Sequence, residues 1–127
     1  MLSIEGQGRV LAQIPLNEWG GLLRDFGFLA LKHQKPPDCA NNGEPWTTWL
    51  ILGGRGAGKT RAGAEWVRGI ALSDPKARIA LIAETEDDAR EVMVEGVSGL
   101  LAIHSGDERP LWTPSRGRLE WKNGAVA

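Results

Sequence analysis

The residues with the clearest chemistry are Gly53-Gly54-Arg55-Gly56-Ala57-Gly58-Lys59-Thr60, which fit the phosphate-binding pattern G-x-x-x-x-G-K-[ST]. To wrap a phosphate, successive backbone N–H groups must turn inward, which needs backbone angles that residues with a Cβ resist. Gly53, Gly54, Gly56 and Gly58 relieve that resistance. If a helix begins at the end of the loop, its free N–H groups and dipole add to the attraction for an anion. Lys59 can then reach the β- and γ-phosphates of a nucleotide as a point charge, and the Thr60 hydroxyl can hold Mg²⁺. The alternative is a glycine-rich turn that matches the pattern by accident.

The pattern has meaning only between a strand and a helix. Trp49-Leu50-Ile51-Leu52 precedes it, a short apolar run of strand formers. After it, Ala62, Trp66, Val67 and Ile70 recur at helical spacing, with Arg61, Glu65 and Arg68 between them. Next comes a turn, Ser73-Asp74-Pro75-Lys76, and then a second apolar run, Ala77-Arg78-Ile79-Ala80-Leu81-Ile82-Ala83, of the kind expected for a strand buried on both faces. Strand, helix and strand make a βαβ unit, hence parallel strands joined by a right-handed crossover. Glu84 closes the second run. It resembles the acid that ends a Walker B strand, but the run directly follows the loop helix and Thr85, not a second acid, comes next. Thr85 with Asp88 reads instead as the capping box of another helix, with Glu86, Asp87 and Asp88 at the positive end of its dipole. Ala89, Val92, Met93 and Val97 would form its apolar face, Gly96 and Gly99 would interrupt it, and Ser98 would cap a short continuation through Leu100, Leu101 and Ile103.

Upstream, Asn17 is a plausible N-cap for a helix whose face carries Trp19, Leu22, Leu23, Phe26, Leu29 and Ala30. Pro36-Pro37 ends this region. His33 and Gln34 stand where the chain returns towards the phosphate loop. A Gln amide can read adenine N6 and N7 together, or Gln34 is an ordinary surface residue. Trp46 and Trp49 read as packing residues, with stacking on a base as the alternative for Trp46. Downstream, His104 has no Cys or acidic ligand spacing around it, so no metal is assigned there. Arg118 to Trp121 alternates like a strand, and Asn123-Gly124 is a two-residue hairpin turn that returns the chain through Ala125-Val126-Ala127.

The chain has 127 residues and a net charge of −1, room for one small domain and no general electrostatic pull towards nucleic acid or anionic lipid. Its one cysteine, Cys39, cannot form an internal disulfide. There is no secretory signal at Met1 and no apolar run long enough to span a membrane, so no membrane partner is expected.

The run from Thr48 to Arg68, TWLILGGRGAGKTRAGAEWVR, closely resembles the large terminase subunit of tailed phages and gene transfer agents. Gln34-Lys35-Pro36-Pro37 resembles that family's adenine-recognising segment. Ala80-Leu81-Ile82-Ala83-Glu84-Thr85, the run from Val92 to Leu101, and Leu119-Glu120-Trp121-Lys122-Asn123-Gly124-Ala125 resemble its following segments. The likeness implies an α/β P-loop NTPase of the ASCE or RecA-like type, a parallel sheet flanked by helices, here incomplete and ending in a β-hairpin. Residues 1–37 would be an N-terminal helix and adenine segment, and 38–127 the ATPase core, truncated before Walker B. The Walker B acids, the catalytic Glu and a nuclease domain would then lie beyond Ala127.

By the same resemblance the cofactors are ATP and Mg²⁺. Gln34, Gly53, Gly54, Arg55, Gly56, Ala57, Gly58, Lys59, Thr60 and Arg61 would bind the nucleotide, and Lys59 and Arg55 would act in catalysis. Arg55 would touch the γ-phosphate, where a guanidinium stabilises spread charge; the alternative is a structural salt bridge. The implied activity is an ATP-driven motor that packs double-stranded DNA into a preformed capsid. It would work as a homo-oligomeric ring at the portal protein, with a small terminase subunit, in the cytoplasm of a bacterial host. This stretch alone would bind nucleotide without hydrolysing it. The rivals are another P-loop NTPase, helicase-like or a small kinase, and a non-catalytic nucleotide-binding prophage remnant.

Overall fold

A computed structural model describes residues 25–127, in two units that divide between Lys32 and His33. The N-cap Asn17 and most of the apolar face assigned to the first helix lie outside the described residues. What is described there is α1 (Phe26–Leu29), one turn long, capped by Asp25, whose carboxylate accepts from the Phe28 N–H at 3.2 Å.

The second unit is built around α2 (Lys59–Ser73), fifteen residues long. Its buried positions are Ala62, Ala64, Val67 and Ala71. The core-facing stripe therefore runs through small residues, which let neighbouring backbone approach closely. Trp66, expected on that stripe, is 40% exposed and stands at its margin. The helix stops at Asp74, where Pro75 cannot continue it and the Asp74 carboxylate accepts from the Lys76 N–H at 2.8 Å.

Thr85 caps α3 (Glu86–Asp88) by accepting from the Asp88 N–H at 3.0 Å. The Asp88 carboxylate accepts from the Thr85 hydroxyl at 2.7 Å, so the reciprocal half of the box uses that hydroxyl and not the Thr85 N–H. Beyond Asp88 the helix widens into a π-turn over Ala89–Val94, closed by Glu95 N–H to Arg90 C=O at 2.9 Å. The wider turn moves side chains around the axis. Val94 is buried as a result, while Val92 is 48% and Val97 96% exposed, which corrects the expected apolar face. A Cβ on Gly96 would come within 2.8 Å of the Glu91 and Val92 carbonyls, so the chain leaves the helix there by a route only glycine permits. α4 (Leu100–Ile103) is capped by Gly99 and not by Ser98.

The C-terminal region is centred on β2 (Arg118–Glu120), paired antiparallel with β1 (Leu111–Thr113) in the register Leu111–Glu120, Trp112–Leu119 and Thr113–Arg118. On its other side the chain reverses through Lys122-Asn123-Gly124, closed by Gly124 N–H to Trp121 C=O and Trp121 N–H to Ala125 C=O, both at 3.0 Å. Only Gly124 is left-handed there, so the expected two-residue turn is a three-residue loop instead. Leu119 and Ala127 then exchange both backbone hydrogen bonds, at 2.8 and 3.0 Å. Val126 continues outward to a parallel bridge with Arg78, through Ile79 N–H to Val126 C=O at 3.0 Å and Val126 N–H to Ala77 C=O at 3.1 Å. Leu119 and Ala125 are fully buried and join Val67, Ala71, Val94, Leu100 and Trp121 in one apolar core.

Among the described residues, no β-bridge involves the run before the loop, and the run after α2 pairs only at Arg78. Leu50, Leu52 and Ile82 are 73%, 81% and 80% exposed. The run 77–83, expected to be buried on both faces, is therefore buried on one. Ala77 is in the core and Ile79 and Leu81 pack against it, while Ile82 faces outward, because a strand is buried on both faces only where neighbouring strands and helices flank it.

Candidate phosphate-binding site

The loop 53–58 turns through two left-handed glycines, Gly56 at φ 82° and Gly58 at φ 75°, and Gly58 is the N-cap of α2. This is the backbone form that brings successive N–H groups onto one side and leaves the first helical donors free. A Cβ on Gly53 would stand 2.9 Å from the Ala57 Cβ, so the loop closes on itself more tightly than a side chain allows. The Lys59 ammonium folds back to donate to the Gly53 and Gly54 carbonyls, both at 2.7 Å. It thus lies over the loop, with its charge held by two neutral acceptors.

Thr60 follows on the first turn of α2, and Lys59 and Thr60 share a cleft of about 630 Å³ with Trp49, Gly63, Trp66 and the facing run Ala80, Leu81 and Ile82. Arg55 has no ion-pair partner among the described residues, so the structural salt bridge considered for it is not formed there. Arg61 points along α2 and pairs with Glu65, Nη2 to Oε1 at 2.6 Å. Glu65 also meets Arg68 at 3.5 Å, and Arg68 binds Glu108, which holds the Glu108 carboxyl below the usual carboxylate range. Glu84 lines a different cavity, of about 600 Å³, with Glu86, Asp87, Arg90 and Arg116. No three His, Cys, Asp or Glu side chains cluster to hold a metal ion among the described residues.

The segment expected to read a base reaches the loop directly. Gln34 Nε2 donates to the Gly58 carbonyl at 3.3 Å, and His33 Nε2 lies 2.9 Å from the Ala57 carbonyl. Only adjacency to Gln34 marked His33 in the sequence; its contact, 24 residues along the chain, carries no pattern. Trp46 donates from Nε1 to the Pro37 carbonyl at 2.6 Å, and its ring lies 6.4 Å from both Trp49 and Trp66, an aromatic cluster of the packing kind.

His104 is away from the loop and fully engaged. Nδ1 lies 2.6 Å from the Leu100 carbonyl, and Nε2 accepts from the Trp121 indole N–H at 3.0 Å. A carbonyl only accepts, so Nδ1 carries the proton and the ring is neutral. Burial is the first cause that pushes its pKa below the usual histidine range.

No helix among the described residues is long and apolar enough to cross a membrane. No curated protein and no solved structure matches the chain. The family model described as the N-terminal part of the T4-like virus type terminase large subunit matches residues 50–127, which takes in the loop, α2 and everything after it. The match covers well over half of the sequence, and the chain therefore belongs to the terminase large-subunit family of phage DNA packaging.

Proposed function

We propose that this chain is the ATP-binding front part of the packaging motor, with a P-loop NTPase fold in which the runs 49–52 and 77–83 are strands of a parallel sheet. The observation that carries the reading is the loop itself. Left-handed Gly56 and Gly58 lead into the N-terminus of α2 while the Lys59 ammonium lies over the loop carbonyls, ready to exchange two neutral acceptors for phosphate oxygens. ATP with Mg²⁺, when bound, would supply the phosphoryl bond whose hydrolysis drives DNA movement. Gly53 to Gly58 would offer backbone donors to the phosphates, Lys59 would neutralise them, and the Thr60 hydroxyl would face the metal ion. Arg55, without an ion-pair partner among the described residues, has its guanidinium available to a terminal phosphate. Gln34 would read the base once its amide leaves the Gly58 carbonyl. Arg61 would contribute only by leaving Glu65. The partners on this reading are double-stranded DNA, the portal protein, a small terminase subunit and further copies in a ring, at the procapsid in the bacterial cytoplasm.

Titration of the chain with ATP and ADP in the presence of Mg²⁺, followed by calorimetry, tests the reading. Saturable binding that disappears in Lys59→Ala supports it, and equal binding by the variant refutes it. ATP turnover by the chain itself would overturn the expectation that hydrolysis needs acids beyond those present. Strand separation of duplex DNA by the protein containing this chain would favour a helicase-like NTPase.

A further inference from the structure

His33 lies outside the glycine-rich loop, yet its ring nitrogen meets the loop backbone. Nε2 is 2.9 Å from the Ala57 carbonyl, and because a carbonyl can only accept, Nε2 is the protonated nitrogen. The Ala57 carbonyl and the Gly58 N–H belong to one planar trans peptide and point in opposite directions. Holding the carbonyl towards His33 therefore aims the Gly58 N–H the other way. That N–H has no acceptor among the described residues. The next peptide is held in the same manner, since the Gly58 carbonyl accepts from Gln34 Nε2 at 3.3 Å and from the Ala62 N–H at 3.0 Å.

The 57–58 peptide needs holding. A peptide that turns over reverses the sign of φ at the residue after it, and Gly58 tolerates either sign. At φ 75° it sits in one of two accessible states, and the loop's glycines do not choose between them. A donor fixed on the Ala57 carbonyl does.

We propose that His33 is a positioning residue of the phosphate loop, which sets the orientation of the 57–58 peptide and so presents the Gly58 N–H to a bound polyphosphate. This rests on the nucleotide-binding reading above for the ligand, but not for the peptide orientation.

The test has two arms on the full chain. In the first, without ligand, NMR follows the Ala57 carbonyl carbon, the Gly58 amide and the His33 ring nitrogens in the wild type, His33→Ala and His33→Gln. The expected result is a shift of the Ala57 and Gly58 signals in His33→Ala that His33→Gln reverses, because glutamine keeps an N–H donor. Unchanged signals in His33→Ala overturn the proposal. In the second arm, inorganic triphosphate and ADP are titrated calorimetrically. His33→Ala should bind both about five- to tenfold more weakly, the worth of one well-placed donor, with His33→Gln recovering most of the loss. A global loss of packing would not be rescued in this way. Undiminished binding by His33→Ala, or equal weakening by both variants, refutes the positioning role. If the wild type binds neither probe, the nucleotide reading fails, and the NMR arm alone decides the peptide orientation.

Discussion

Gly56 and Gly58 offer a matched pair of substitutions that separates backbone strain from side-chain contact. Both glycines are left-handed, at φ 82° and 75°. An alanine at either position would be strained by about 1–2 kcal/mol relative to glycine. Their surroundings differ. A Cβ on Gly56 would meet nothing within 4 Å, whereas a Cβ on Gly58 would stand 2.2 Å from Gln34 Nε2. The Gln34 side chain is flexible and can swing aside, so the clash itself is relieved. What is lost is its hydrogen bond to the Gly58 carbonyl, at roughly 0.5–1.5 kcal/mol. Gly56→Ala is therefore expected to destabilise the chain by about 1–2 kcal/mol, and Gly58→Ala by about 1 kcal/mol more. For a unit of this size each kcal/mol is about 4–8 °C in Tm. Urea unfolding followed by tryptophan fluorescence measures both variants. The discriminating step is the Gln34→Ala background, where the extra cost of Gly58→Ala should vanish and the two alanine variants should become equal. A surplus that survives removal of Gln34, or no surplus in the wild-type background, would refute the assignment of the Gly58 environment to Gln34.

Leu119 is fully buried in the middle of the core, and Leu119→Ala should cost about 3–5 kcal/mol by chemical denaturation, enough to threaten folding at 37 °C. Trp121→Phe stays aromatic but loses the indole N–H that His104 Nε2 accepts from, and is expected to cost about 1–3 kcal/mol in the same assay for the lost donor, with the smaller ring adding to it. The pH dependence follows from His104: its folded pKa is depressed while the unfolded value is near 6.5, so the unfolded chain binds more protons in the interval between them. The stability it contributes is thus complete above about pH 6.5 and is lost as the pH falls towards the folded pKa, and His104→Gln should flatten the Tm profile below about pH 6.5. Asn123→Ala removes both the Nδ2 donor to the Ala71 carbonyl at 2.7 Å and the Oδ1 acceptor of the Ala125 N–H at 3.1 Å. It should lower Tm by several degrees, whereas Lys122→Ala, whose partner Asp107 is fully exposed, should leave Tm nearly unchanged.

What the amino-acid sequence determined by itself was local. Gly56, Gly58 and Gly124 adopt left-handed angles that a Cβ disfavours, Thr85 caps its helix through Asp88, and the chain reverses just before Gly124, though by three residues and not two, because each feature depends on a few consecutive residues and on backbone sterics. The place of α2 was equally legible, since Gly58 and Pro75 bound it on either side, but its buried stripe was not, for Ala64 and Ala71 are buried where Trp66 and Ile70 were expected. The tertiary structure decided matters that no periodicity encodes. Val94 and not Val97 faces the core because a π-turn shifts the helix face by part of a turn. β2 lies between β1 and the returning segment, and Val126 reaches Arg78 across a long stretch of sequence, because sheet neighbours are chosen by packing and not by spacing. In the candidate site the same division holds. The loop and Lys59 could be read as a pattern, but the contacts of His33 and Gln34 with the Ala57 and Gly58 carbonyls join residues 24 positions apart, and such pairings exist only once the intervening chain has folded back.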